Sequence, residues 1–232
     1  MPVLKWWQAT LKRSFMEVLS SPLLQNENQL NWDSFLSTVI VEVKRGGKVF
    51  TSTGVLIDNR ALLTAAHSID CAESVQIILT HDYNFITDTY EVERCYIHPE
   101  YNPSQSLYEN DIALLFLKEP VTRNVLFDEI PDTIELEKDS VLERIGFGSR
   151  ASGNCRTWTN PQYLEMNFSK TALKLVDRYS FVGDSGGPIY QNIDGERRLI
   201  GLHSTKEAGE YTYVINLASY KSWIDSLIAA VG

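Results

Sequence analysis

The chain has 232 residues, 44% hydrophobic and 22% charged, with a net charge of -9. That is enough for one large domain or two packed halves, and the negative balance, with no stripe of Lys and Arg, excludes a nucleic-acid partner. No apolar stretch approaches the roughly 20 residues that span a bilayer, and residues 1–21 interrupt their apolar positions with Lys5, Lys12, Arg13 and Glu17, so neither a signal-peptide core nor stable membrane insertion is expected.

The first element is amphipathic. Val3, Trp7, Leu11, Phe15, Val18 and Leu19 recur at helical spacing and stop near Pro22. The reading is a helix packed on the domain, with a membrane-surface role as the alternative. Gln25 to Asn31 is a polar linker. The predicted division is therefore residues 1–31 as helix and linker and 32–232 as the main domain.

From Thr38 onward short β-prone runs take over. Strands are predicted near 38–44, 48–57, 75–80, 89–97, 112–117, 141–147, 163–168, 187–193, 198–204 and 211–215. Gly46-Gly47, Asp58-Asn59 and Asp194-Gly195 supply turns. Many short strands argue for an all-β barrel or sandwich. Trp223, Ile224, Leu227, Ile228 and Val231 place a closing helix over 219–231. The three cysteines, Cys71, Cys95 and Cys155, allow one internal bridge at most and match no zinc spacing, so no metal and no cofactor is expected.

Three stretches carry chemistry: "LLTAAHSID" with His67, "YENDIALLFL" with Asp111, and "FVGDSGGPIY" with Ser185. Each alone reads equally as a structural histidine, a cap and a glycine turn. Together they supply what a serine nucleophile needs. The hydroxyl requires an adjacent base. Histidine is that base, with an ordinary pKa of about 6.5. A buried carboxylate fixes its tautomer and stabilises the imidazolium. Glycine at 183 leaves backbone N–H groups open to a developing oxyanion.

These motifs resemble the chymotrypsin/trypsin family of serine endopeptidases. The His–Asp–Ser order is kept, as are "TAAH", "NDIALL", "GDSGGP", "HPEYN" at His98–Asn102, "GVLI" at Gly54–Ile57 and "SWI" at Ser222–Ile224. The resemblance covers roughly Val39 to Leu227. It implies two antiparallel six-stranded β-barrels with a boundary near 120–135, flanked here by the N-terminal amphipathic helix and the C-terminal helix. It also implies a monomer acting on polypeptide through an acyl-enzyme. Ser185 would be the nucleophile, His67 the base and Asp111 its orienter, with the N–H groups of Gly183 and Ser185 as oxyanion hole. Ser204 would support Asp111 and open the edge that pairs with substrate backbone.

Departures from trypsin refine this. Tyr179 stands where trypsin carries the aspartate of its specificity pocket, so cleavage after Arg or Lys is not expected. His203, Ser180 and Lys206 resemble the pocket of glutamate-specific members, and "LIGLHSTK" is similar to the staphylococcal exfoliative toxins. That resemblance implies a preference for Glu before the scissile bond, because a carboxylate entering a partly desolvated pocket needs donors and positive charge; an apolar preference is the alternative. No Ile-Val-Gly-Gly start occurs, the chain reading "QNEN" at 25–28. Asp184 therefore needs a partner other than the usual freed amine, or the oxyanion loop is latent until the N-terminal helix or a partner orders it. Ser52, Ser68 and Phe181 replace the cysteines of family bridges, which suits a bacterial protein, either secreted or periplasmic, or a reducing compartment such as the cytoplasm. The rival from a different class is a catalytically silent pseudoprotease that binds a partner; an esterase-like acyl hydrolase is a third reading.

Overall fold

The computed structural model describes residues 35–80, 88–104, 106, 108–148, 156–207 and 209–231. The predicted N-terminal helix, its linker and Cys155 lie outside the described residues.

The first half is a closed antiparallel barrel in the order β1-β2-β3-β6-β5-β4. Its strands are β1 (Thr38–Arg45), β2 (Lys48–Leu56), β3 (Ala61–Thr64), β4 (Ser74–Leu79), β5 (Asp88–Ile97) and β6 (Ala113–Leu117). β1 and β2 form a hairpin closed by Gly46 and Gly47, with φ of +57° and +70° and Arg45 paired to Lys48. Two left-handed residues match the strand twist, which is why glycines stand there. β3 escaped the sequence reading. All four of its residues are buried, so "ALLT" lacks the alternation that marks a strand with one wet face. Ala61 and Leu63 join a core shared with Ile145, Tyr190 and Leu202 of the second half, and Leu62 and Thr64 point the opposite way.

The second half is the expected second barrel-like sheet, divided into seven strands rather than six. It is a seven-stranded sheet in the order β8-β7-β11-β12-β13-β10-β9. The strands are β7 (Glu143–Gly146), β8 (Thr157–Thr159), β9 (Gln162–Met166), β10 (Ala172–Val176), β11 (Pro188–Ile193), β12 (Glu196–Lys206) and β13 (Tyr211–Asn216). The two edge strands, β8 and β9, are consecutive in the chain. Pro161 between them has no N–H to give a ladder, so one bent strand counts as two. An isolated bridge from Val141 to Gln162 draws the edges together and curls the sheet. β8 and β10 were not predicted. "ALKLV" of β10 has four apolar residues in five, with no turn signal to bound it.

A 3-10 turn (Leu217–Tyr220) leads into the closing helix α2 (Lys221–Val231). Ile224 is buried, and Trp223, Leu227, Ile228 and Val231 pack on the shared core. Tyr220 accepts from the amide of Asn110 at 3.2 Å and donates to its Oδ1 at 3.0 Å, tying this end of the chain to the residue before Asp111. Cys71 and Cys95 are both exposed and free. The described halves are thus joined by packing, with a large apolar core between them.

Candidate active site

His67 sits in the short helix α1 (Ala66–Ile69), directly after β3. Asp111 immediately precedes β6, which pairs with β3 from Ala61↔Phe116 to Thr64↔Ala113. That register brings the two side chains together. His67 Nδ1 is 2.7 Å from Asp111 Oδ2, and the His67 amide donates to Oδ1 at 2.8 Å. Ser204 Oγ donates to Oδ2 at 2.5 Å. Asp111 is fully buried, so its charge is met by these donors rather than by water. A carboxylate facing Nδ1 selects the tautomer with the proton there. Nε2 is then left to accept from Ser185 Oγ, 2.9 Å away. The Ser185 hydroxyl also lies 3.3 Å from the carbonyl of Ser204.

The loop carrying Ser185 belongs to the second half but rests on the first. The amide of Thr53 donates to Ser185 O at 2.9 Å. Thr53 Oγ1 donates to Gly183 O at 2.8 Å and accepts from the Phe147 amide at 3.0 Å. Gly186 has φ of +79°, and a Cβ there would stand 2.2 Å from Thr64 Oγ1. Only glycine lets the loop approach the barrel so closely. Gly183, at φ +102°, shares this left-handed geometry.

Beneath the loop lies a buried ion cluster that sequence reasoning missed. Asp184 is fully buried. Its Oδ1 accepts from the Gly148 amide at 2.8 Å and its Oδ2 from the Phe181 amide at 2.9 Å. Arg144 Nη1 stands 2.9 Å from the same Oδ2. Arg144 Nε donates to Asp177 Oδ2 at 2.5 Å, and its Nη2 to Tyr179 O at 2.8 Å. Burial alone would weaken the guanidinium's hold on its proton, but Asp184 and Asp177 outweigh it and the pKa rises above its ordinary value. The sequence held one signal, an arginine inside the apolar run "VLERIGF". Nothing there tied it to Asp184, forty positions on.

The expected pocket residues fall into two groups. Ser180 and His203 are both buried, with Ser180 Oγ 2.6 Å from His203 Nε2. Lys206 Nζ donates to Ser180 O at 3.0 Å. These three are brought together. Ser204 is held by Asp111 instead. Tyr179 is 44% exposed, and its backbone turns inward, the carbonyl to Arg144 and the amide to Asp177. His203 is pushed down to about 4 by burial, with the nearby Arg144 charge adding to it, so it is neutral at pH 7. Its Nδ1 and Thr212 Oγ1 are buried and have no hydrogen-bond partner among the described residues. No group of His, Cys, Asp and Glu among the described residues could hold a metal ion.

The trypsin family profile matches residues 33–224. The chain belongs to the trypsin family. It is 26% identical to human chymotrypsin-like elastase family member 1 over 239 residues, covering 85% of this chain and 89% of that protein. It is 25% identical to guinea-pig coagulation factor IX over 201 residues, covering 73% and 70% of the respective chains. The yellow-fever mosquito's inactive CLIP domain-containing serine protease A3 is 23% identical over 227 residues, covering 79% of this chain and 47% of that protein. Among solved structures, GrC superposes with a TM-score of 0.76 at 22% identity, over 87% of this chain and 98% of that one. The inactivated scabies-mite protease paralogue S-I1 follows at 0.75 and 19%, over 88% and 98%. At that identity the two structures show the chymotrypsin-like fold alone. The three curated relatives named here are animal proteins and lend no support to a bacterial origin, and none of the three is named a glutamyl endopeptidase or exfoliative toxin. The chain is thus a trypsin-family serine-protease domain, in a family whose proteases act on polypeptide and which also holds inactive members.

Proposed function

We propose that this trypsin-family domain is an active serine endopeptidase. The observation that carries this is the unbroken relay from Ser185 through His67 to Asp111 and Ser204, at 2.9, 2.7 and 2.5 Å. Ser185 Oγ attacks the scissile carbonyl while His67 Nε2 takes its proton. The N–H groups of Gly183 and Ser185 receive the oxyanion, each such donor contributing about 3 kcal/mol to the transition state. His67 then protonates the leaving amine, and water repeats the sequence on the acyl-enzyme. Asp111 holds the tautomer.

For specificity, the lack of an acid at Tyr179 and the cation of Lys206 against Ser180 support a preference for Glu before the scissile bond. His203 then acts as a neutral hydrogen-bonding partner of Ser180, leaving the hydroxyl to donate to the substrate carboxylate. A second reading, an apolar residue at that position, draws on one observation: Ser180 and His203 are each only 3% exposed and already bonded to each other. Residues 1–31 are proposed as a regulatory appendage of a monomeric domain spanning 32–232. The pseudoprotease reading draws on the similar proteins named inactive.

Two measurements decide among these. A fluorophosphonate probe labels Ser185 in the wild type and not in Ser185→Ala; a folded, unlabelled wild type leaves the pseudoprotease. Cleavage of a peptide library by the full chain and by 25–232 shows Glu selected at the scissile position, and enrichment of Ala, Leu or Phe instead overturns the Glu preference. Equal rates for the two forms remove the regulatory role of the first residues.

A further inference from the structure

We propose that Arg144 is a positioning residue for the oxyanion loop, an internal cation that holds Asp184 in the place where trypsin-like enzymes use a freed N-terminal amine. The inference rests on the serine-protease reading of the site.

The geometry is that of one guanidinium gripping the whole segment between β10 and the nucleophile. Arg144 is fully buried. It hydrogen-bonds Asp177 through Nε and the carbonyl of Tyr179 through Nη2, and its Nη1 stands in ion-pair contact with Asp184 without hydrogen-bond alignment. Those contacts span the pocket base and end beside Ser185. The strand register explains how it arrives there. β7 pairs with β11, which follows the GDSGGP loop, and Arg144 lies opposite Ile189. Two carboxylates facing one cation would leave a buried negative charge, which is costly unless each oxygen finds a donor. They do. Besides the arginine, Asp184 takes the amides of Gly148 and Phe181, and Asp177 takes the amide of Tyr179 at 3.0 Å.

The surrounding backbone is shaped to this cluster. A Cβ on Gly146 would stand 2.2 Å from Asp184 Oδ1 and 3.3 Å from Arg144 Nη1. One on Gly148 would stand 2.6 Å from the same carboxylate's carbon. Distances under 3.0 Å are not tolerated, so both glycines are needed for Asp184 to lie where it does. From the other side, Thr53 fixes Gly183 O to the first barrel. The loop is thus clamped below by charge and above by a hydroxyl, both fixed in the sequence before any cleavage. A cation that is part of strand β7 makes the oxyanion hole independent of a newly released chain end.

The test compares the full chain with Arg144→Met and Arg144→Lys, reading the second-order rate of fluorophosphonate labelling. The ionisable groups facing Arg144 are Asp177, Asp184 and His203. His203 titrates in acid, well away from the alkaline window used here. Arg144→Met is expected to label about 100-fold more slowly, the scale of losing an oxyanion-hole donor. Arg144→Lys is expected within about tenfold of wild type at pH 7.5. It then falls reversibly to the Met level at alkaline pH as the lysine loses its proton, whereas the wild type holds, since a guanidinium keeps its proton to about pH 12. Hydrogen exchange supplies a readout independent of chemistry: the amides of Gly148 and Phe181 lose protection in both variants under those conditions while β1–β6 keep theirs. Labelling of Arg144→Met within threefold of wild type, or an Arg144→Lys profile that follows the wild type, overturns the proposal. Should Arg144→Met not fold, the lysine profile decides. Should a folded wild type fail to label, the protease reading falls, and unchanged exchange at Gly148 and Phe181 overturns the clamp on its own.

Discussion

The two halves of this molecule bury different things. The first is a closed barrel whose strands bury Ile40, Leu62, Ile77, Ile78, Leu79 and Leu115. Among the described residues its buried charge is Asp111, at the rim, facing the other half. The second half buries Arg144, Arg156, Asp177 and Asp184 outright. Apolar burial is non-directional and fixes a framework. Buried ion clusters give stability poorly but fix particular orientations, since each breaks badly when one partner is lost. The first half is therefore a rigid holder for His67, and the second a shaped cradle for the loop of Ser185.

The sharpest challenge to that contrast is Asp111→Asn. It should cut kcat by about 10^4, through the wrong tautomer of His67, with the barrel still folded by near-ultraviolet circular dichroism. A drop of less than tenfold would mean that this charge belongs to the framework instead. Next is Ile77→Ala, in the barrel and away from the triad. It should cost about 2–5 kcal/mol in urea unfolding while kcat of the folded protein stays at the wild-type value; a change in kcat would break the picture of a passive holder. The smallest effect concerns His203. Its folded pKa of about 4 lies below the ordinary 6.5, so the unfolded chain binds the extra proton between those values. Stability is then full above about pH 6.5 and falls as pH drops towards about 4, by on the order of 3 kcal/mol. His203→Gln should flatten that part of the urea-midpoint profile. An unchanged slope would assign the acid loss wholly to the carboxylates.

The same contrast explains what could be read from the chain. Hairpin turns at Gly46-Gly47 and Asp194-Gly195, long alternating strands and the helix at 221–231 all carry local signals, and the structure has them. The convergence of His67, Asp111 and Ser185 was legible because each sits in a motif of its own, and the structure brings the three side chains within hydrogen-bond distance. β3, β8 and β10 were not, since "ALLT", "TWT" and "ALKLV" are too short or too uniformly buried to show a period of two. Arg144 was unreadable for a further reason. Its meaning depends on the pairing of β7 with β11, a contact that no local pattern encodes. Thr53 was equally silent, its hydroxyl working between Phe147 and Gly183 across the two halves.

That last residue has a practical corollary. Everything upstream of the long 118–142 connection supplies His67, Asp111 and the Thr53 hydroxyl, and everything downstream supplies Ser185 and its cradle. Cut in that connection, neither fragment holds a complete site, and turnover would report only their reunion. The architecture is a natural template for a split reporter, in which hydrolysis signals that two fused partners have met.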